Sequence, residues 1–108
     1  IVNYRCITPI VYNDSALTTL LEGCAVSLLG AANVLRLDHP SLGAEDFAEL
    51  LQDVRGTMFR LGVAGEEGCA PLHNGQFSLD ERSLEVGIEV LVSTLFEWMK
   101  IHSKLGID

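Results

Sequence analysis

The stretch from Ser78 to Lys100 constrains this chain more than any other. Ser78-Leu79-Asp80-Glu81 has the spacing of a capping box, in which Ser78 bonds the Glu81 amide and the Glu81 side chain reaches back. Leu84, Ile88, Leu91, Leu95 and Trp98 then recur at helical spacing, with Glu85, Glu89, Ser93 and Glu97 on the opposite side. The pattern predicts an amphipathic helix over 78–100 with the apolar stripe turned inward. Such a stripe needs a second layer to cover it.

The rest of the chain offers that layer. Thr57 to Ala64 is apolar except for Arg60 and Gly62, and a run without clean alternation predicts a central strand of parallel type over 58–63, covered on both faces. Ile1 to Ile10 mixes β-branched and aromatic residues and predicts a strand, broken after Pro9 at Asn13-Asp14. A helix over 14–29 follows, capped by Asn13 or Asp14, with Leu17, Leu20, Leu21, Cys24 and Leu28 as its stripe and Gly30 as a left-handed C-cap. Residues 33–37 fit a short strand. A second helix is expected over 45–53, with Glu45 and Asp46 in its first turn and Phe47, Leu50, Leu51 and Val54 on its apolar face; Gly56 ends it. Strand and helix alternate, which makes the expected fold class α/β.

Composition narrows the function. Hydrophobic residues make up 48% and charged residues 20% of 108 residues, an ordinary globular composition that argues against disorder. The net charge is −8 and the seven basic residues are scattered, which argues against nucleic acid as a partner. No apolar run reaches the ~20 residues that a membrane-spanning helix needs. The first residues lack a basic signal region and an initiator Met, so the chain is expected to be a fragment or a processed piece. Cys6, Cys24 and Cys69 are an odd set without a close pair, which fits reduced thiols and a cytoplasmic location.

Two loops carry candidate chemistry. His73 lies in the Gly-rich loop 65–76 directly after the expected central strand, and ligand sites in α/β sheets lie beyond the carboxyl ends of strands. An imidazole there can hold a metal, serve as acid or base, or hydrogen-bond the loop, and one His alone makes no zinc site. Glu45, at a helix start, either complements the helix dipole or faces a ligand. His39 and His102 are expected to face solvent and Trp98 to sit in the core.

Taken together, Pro40-Ser41-Leu42-Gly43-Ala44-Glu45-Asp46-Phe47, then Phe59-Arg60-Leu61-Gly62-Val63, then Leu72-His73-Asn74 with Phe77, resemble the M20 peptidase family. The nearest branch holds the auxin-conjugate hydrolases, hippurate hydrolase and N-acetyl-diaminopimelate deacetylase. The likeness runs over essentially the whole chain and departs at Arg55-Gly56, where relatives often carry Pro-Gly. It implies a two-domain subunit: an α/β sandwich catalytic domain and an inserted satellite domain through which many members dimerise. Residues 1–11 would be the last strand of the satellite, and residues 12–108 the closing part of the catalytic domain.

The resemblance further implies hydrolysis of an N-acyl amino acid or related amide by a water activated between two divalent ions, Zn or Mn. His73 matches the final metal-binding His. Asn74 and Glu45 are candidates for orienting it or contacting substrate. The other ligands and the carboxylate base come from segments that this chain lacks, so alone it is expected to be inactive. The alternative is a non-catalytic module of the same fold that only binds a partner chain. An open reading frame upstream of Ile1 with a Cys-Gly-His-Asp segment would separate the two.

Overall fold

In the computed structural model, which describes residues 1–3 and 8–103, helix α1 (Ser15–Leu29) starts where the Asp14 carboxylate accepts from the Leu17 amide at 3.0 Å. An N-cap of this kind satisfies one of the amides that a helix start leaves without a partner. The helix stops at Gly30, whose φ of 80° leaves the helical path while its amide still donates to the Val26 carbonyl at 2.9 Å. Its ψ of 149° lies outside the left-handed helical basin expected from the sequence. Both ends of α1 are therefore where Asp14 and Gly30 put them.

The chain divides into two compact units, Ile1–Met58 and Phe59–Asp108. In the first, residues 56–58 run along the start of α1. Asp14 donates its amide to the Gly56 carbonyl at 2.9 Å, and the Thr18 and Thr57 hydroxyls meet at 2.8 Å. Cys24 and Ala25 are buried, Leu17, Leu20 and Leu21 are half-buried, and Leu28 is exposed, so the packed face sits slightly to one side of the expected stripe.

Helix α2 (Phe47–Leu50) is a single turn, shorter than the expected 45–53. The chain continues in i→i+3 turns, with Gln52 N–H on the Glu49 carbonyl and Asp53 N–H on the Leu50 carbonyl. Ala48 is fully buried, whereas Leu50 and Val54, expected inward, are exposed. Residues 33–37 form no strand: a 3-10 turn at Ala31–Asn33 gives way to irregular chain. The Arg36 guanidinium holds that segment through a forked bond to Glu22 (Nε to Oε1 2.7 Å) and keeps the Glu22 carboxyl below its ordinary range. The expected first strand falls partly on residues 4–7, which with Cys6 lie outside the described residues; residues 1–3 and 8–10 are not strand.

The second unit is built on helix α3 (Arg82–Ser103). Its start corrects the capping-box expectation. Asp80, not Ser78, supplies the cap: its Oδ1 accepts from the Arg82 amide at 3.0 Å and its carbonyl from the Ser83 amide at 2.9 Å. The inward face is also different. Ser83, Gly87 and Val90 are buried, while Leu84, Ile88, Leu91 and Leu95 are all more than half exposed, and Trp98 is 39% exposed and stacks on His102 at 4.1 Å. The small face is turned inward because Leu61 lies against it. A Cβ on Gly87 would come within 2.9 Å of Leu61 Cδ2.

The described residues contain no strand, so the α/β layer read from the sequence is not formed in them. Along 60–64 burial alternates: Leu61 and Val63 are half-buried, Arg60, Gly62 and Ala64 exposed. One face is covered and the other open, where both were expected to be covered. A strand is completed by the amides and carbonyls of a neighbouring strand, and no described residue offers that neighbour. Among the described residues the one bridge is the isolated Gly65–Gly68 contact of a tight turn. No helix among the described residues is long and apolar enough to cross a membrane.

Candidate functional site

The His73 loop hangs between segment 59–64 and the start of α3. The Asp80 amide donates to the Val63 carbonyl at 2.9 Å, which fixes the two stems against each other. At the base of the loop the Cys69 thiol donates toward the Ser78 carbonyl at 3.0 Å and the Ala70 carbonyl at 3.2 Å. The Asp80 carboxylate is gripped by Arg82, whose side-chain and then backbone hydrogen bonds hold it below the usual carboxylate range.

Within the loop, two turns share Asn74. Its amide donates to the Pro71 carbonyl at 3.2 Å and its carbonyl accepts from the Phe77 amide at 2.9 Å. Its side-chain oxygen accepts from the Gln76 amide at 2.9 Å, an Asx turn. Half-buried Phe77 roots the far end. His73 is exposed and has a φ of 68°, the one non-glycine residue with positive φ among the described residues. Non-glycine residues enter that region at a cost, histidine more readily than most, and such residues cluster at functional sites. The imidazole makes no hydrogen bond or ion pair among the described residues, so its nitrogens face solvent.

His73 and Asn74 are neighbours in the second unit. Glu45 lies in the first, exposed, with its carboxylate accepting from the Phe47 amide at 3.3 Å. That contact lies at the start of the one-turn helix α2. An open hollow of ≈ 570 Å³ is lined by Glu66, Glu67, Ser78, Asp80 and Arg82 among others, and His73 is not on its wall. The tie from Cys69 to Ser78 was not foreseen in the sequence; a cysteine at the foot of a loop carries no spacing signal.

The donor set bears on the metal that the resemblance implies. Among the described residues, no three His, Cys, Asp or Glu side chains lie close enough to hold an ion. An exposed imidazole fits one coordination position, and zinc takes three or four protein ligands. These residues fit one ligand, not a site.

Comparison with known proteins agrees with the residues. The family described as Peptidase family M20/M25/M40 matches residues 1–97. A probable hydrolase of Synechocystis is 38% identical over 103 residues, covering 93% of this chain and 26% of that protein. A putative glutamate–cysteine ligase of Rhodococcus jostii is 40% identical over 86 residues, covering 79% of this chain but only 11% of that protein. A putative amidohydrolase of Bacillus subtilis is 32% identical over 95 residues, covering 86% of this chain and 24% of that protein. The chain thus spans about a quarter, or less, of the relatives it matches. The ligase name describes a protein of which nearly nine-tenths lies outside the match. No solved structure matches the chain.

Proposed function

We propose, from the premise that this chain belongs to peptidase family M20/M25/M40, that it is the closing part of the catalytic domain of a metal-dependent amidohydrolase. Residues 1–11 are then the last strand of the satellite domain, and residues 12–108 belong to the catalytic domain. Segment 59–64, with Leu61 and Val63 covered and its other face open, takes the place of a central strand once a partner strand lies beside it. The substrate class is an N-acyl amino acid or related amide, which the amidohydrolase among the relatives supports. Dimerisation through the satellite and a cytoplasmic setting belong to the same reading.

Two divalent ions, zinc or manganese, would when bound polarise the amide carbonyl and activate a water. His73 would hold one of them through an unprotonated ring nitrogen, since a protonated nitrogen has no lone pair to give. The observation that carries this role is an exposed imidazole without a hydrogen-bond partner, held at a φ of 68° in a loop fixed at both ends. Glu45 is a candidate for substrate contact: it is exposed, and only its Oε1 accepts, from the Phe47 amide at 3.3 Å.

The test is His73→Ala in the family-length protein that carries this chain. Loss of a group supporting a metal ligand typically costs 10–100-fold in metal affinity or activity, so loss of a ligand is expected to cost at least about that. Metal content and turnover on a panel of N-acyl amino acids are measured together. Wild-type values for both would make His73 an ordinary loop residue and end the assignment.

A further inference from the structure

We propose that Asn74 is the positioning residue of the His73 loop, holding the backbone from which the imidazole projects. This rests on His73 being a metal ligand. A histidine at φ 68° is held against its own preference, so neighbouring bonds must over-determine the turn. Three of them converge on Asn74: its amide on Pro71, its carbonyl under Phe77 and its side-chain oxygen under the Gln76 amide.

The first two are backbone bonds that any residue except proline can make with the amide in place. The third depends on the side chain. An Asn or Asp at this position reaches the amide two residues on, and a longer or apolar side chain does not. The Cys69 thiol, a weaker donor, closes the base of the loop on Ser78, so the internal clasp at Asn74 is what a single substitution can open. Asn74 is thereby assigned to shaping the loop through its side-chain oxygen, which accepts from the Gln76 amide at 2.9 Å.

Two measurements test this. In the full chain, amide hydrogen exchange at Gln76 is followed without metal. Asn74→Ala is expected to speed it roughly 5-fold, the loss of about one net hydrogen bond, and Asn74→Asp, which keeps the acceptor, to leave it unchanged. In the family-length protein, Zn²⁺ is titrated into wild type, Asn74→Ala, Asn74→Asp and His73→Ala, with melting temperatures alongside.

Asn74→Ala is expected to weaken Zn²⁺ binding by about 10–100-fold, and Asn74→Asp to bind no more weakly than wild type. If His73→Ala loses Zn²⁺ while Asn74→Ala keeps it, the positioning role is overturned and the ligand role stands. If His73→Ala keeps Zn²⁺, the ligand role falls and this inference with it. Unchanged Gln76 exchange in Asn74→Ala overturns the clasp itself.

Discussion

The Asn13 side chain pairs with both backbone groups of Met58: its Nδ2 donates to the Met58 carbonyl and its Oδ1 accepts from the Met58 amide, each at 2.9 Å. One amide side chain thus does for Met58 what a neighbouring strand would do. Asn13→Ala removes both bonds. At a net contribution of ~0.5–1.5 kcal/mol per bond, the lower part of which applies at an exposed site, the loss is about 1–2 kcal/mol. Asn13→Asp keeps the acceptor and loses the donor, and should fall between. The urea midpoint of the three proteins orders them; an Asn13→Ala midpoint equal to wild type would show the pairing to be idle.

That pairing also shows why the fold was only partly legible. Asp14 and Gly30 are residues whose own chemistry starts and stops a helix, so α1 was readable to within a residue. A strand is a relation between two segments. Residues 58–63 have the composition of one, but the groups that bond them include the Asn13 side chain and the Asp80 amide, which no period reveals. At the α3 start the sequence pointed to Ser78, and Asp80 took the cap instead, with Arg82 gripping its carboxylate. The large apolar stripe of α3 was visible, yet the side that packs is the small one, because Leu61 needs the space over Gly87. His73 was singled out by its Gly-rich loop after the expected strand and by resemblance; its positive φ and the Asn74 clasp were visible only in the structure.

Gly87 tests which face of α3 is inward. Gly87→Ala adds up to about 1 kcal/mol of helix propensity, and displacing the Leu61 δ-methyl offsets it by a similar amount, so a change within about 0.5 kcal/mol is expected. Gly87→Leu has no such escape and should cost ~1–3 kcal/mol. Thermal unfolding of both separates the two faces. Were the large stripe the inward one, Gly87→Leu would be tolerated and Leu84→Ser would not.

Acid should loosen the start of α3. The Asp80 carboxyl is held below its ordinary value of 3.8 by hydrogen bonds from Arg82. A depressed folded value means that the stabilisation is present above the unfolded value and is lost as pH falls through the folded one. The window therefore lies below about pH 4. Glu22, lowered by Arg36, acts in the same direction in the first unit. Asp80→Asn keeps a hydrogen-bond acceptor but cannot titrate, so its stability should vary less with pH there. Equal acid slopes for Asp80→Asn and wild type would refute the assignment.

The 108-residue chain by itself should hydrolyse no N-acyl amino acid at any Zn²⁺ or Mn²⁺ concentration. The described residues bring no three potential ligands together, and one imidazole cannot assemble a two-ion site. A colorimetric assay for released amine settles it, and metal-dependent release by the purified chain would place the missing ligands within these residues.

At His73 the demands of stability and of metal binding run in opposite directions, which makes His73→Gly more informative than His73→Ala. Glycine enters positive φ freely, and the histidine at 68° does not. Relief of a penalty of roughly 1–2 kcal/mol is opposed by the greater freedom of glycine in the unfolded chain, worth about 0.4–1 kcal/mol. The net expectation is a stabilisation of up to about 1 kcal/mol. Because the side chain is exposed and unbonded, no packing is lost. His73→Ala keeps the backbone penalty and should leave stability near wild type. Both variants remove the imidazole, so both should lose metal affinity alike in the family-length protein. Calorimetry with and without Zn²⁺ reads both effects at once: His73→Gly should melt higher than wild type without the ion and gain less when the ion is added. If His73→Gly melts lower without the ion, the conformation at 68° is not a stored cost, and the constraint that Asn74 exerts on the loop has another purpose.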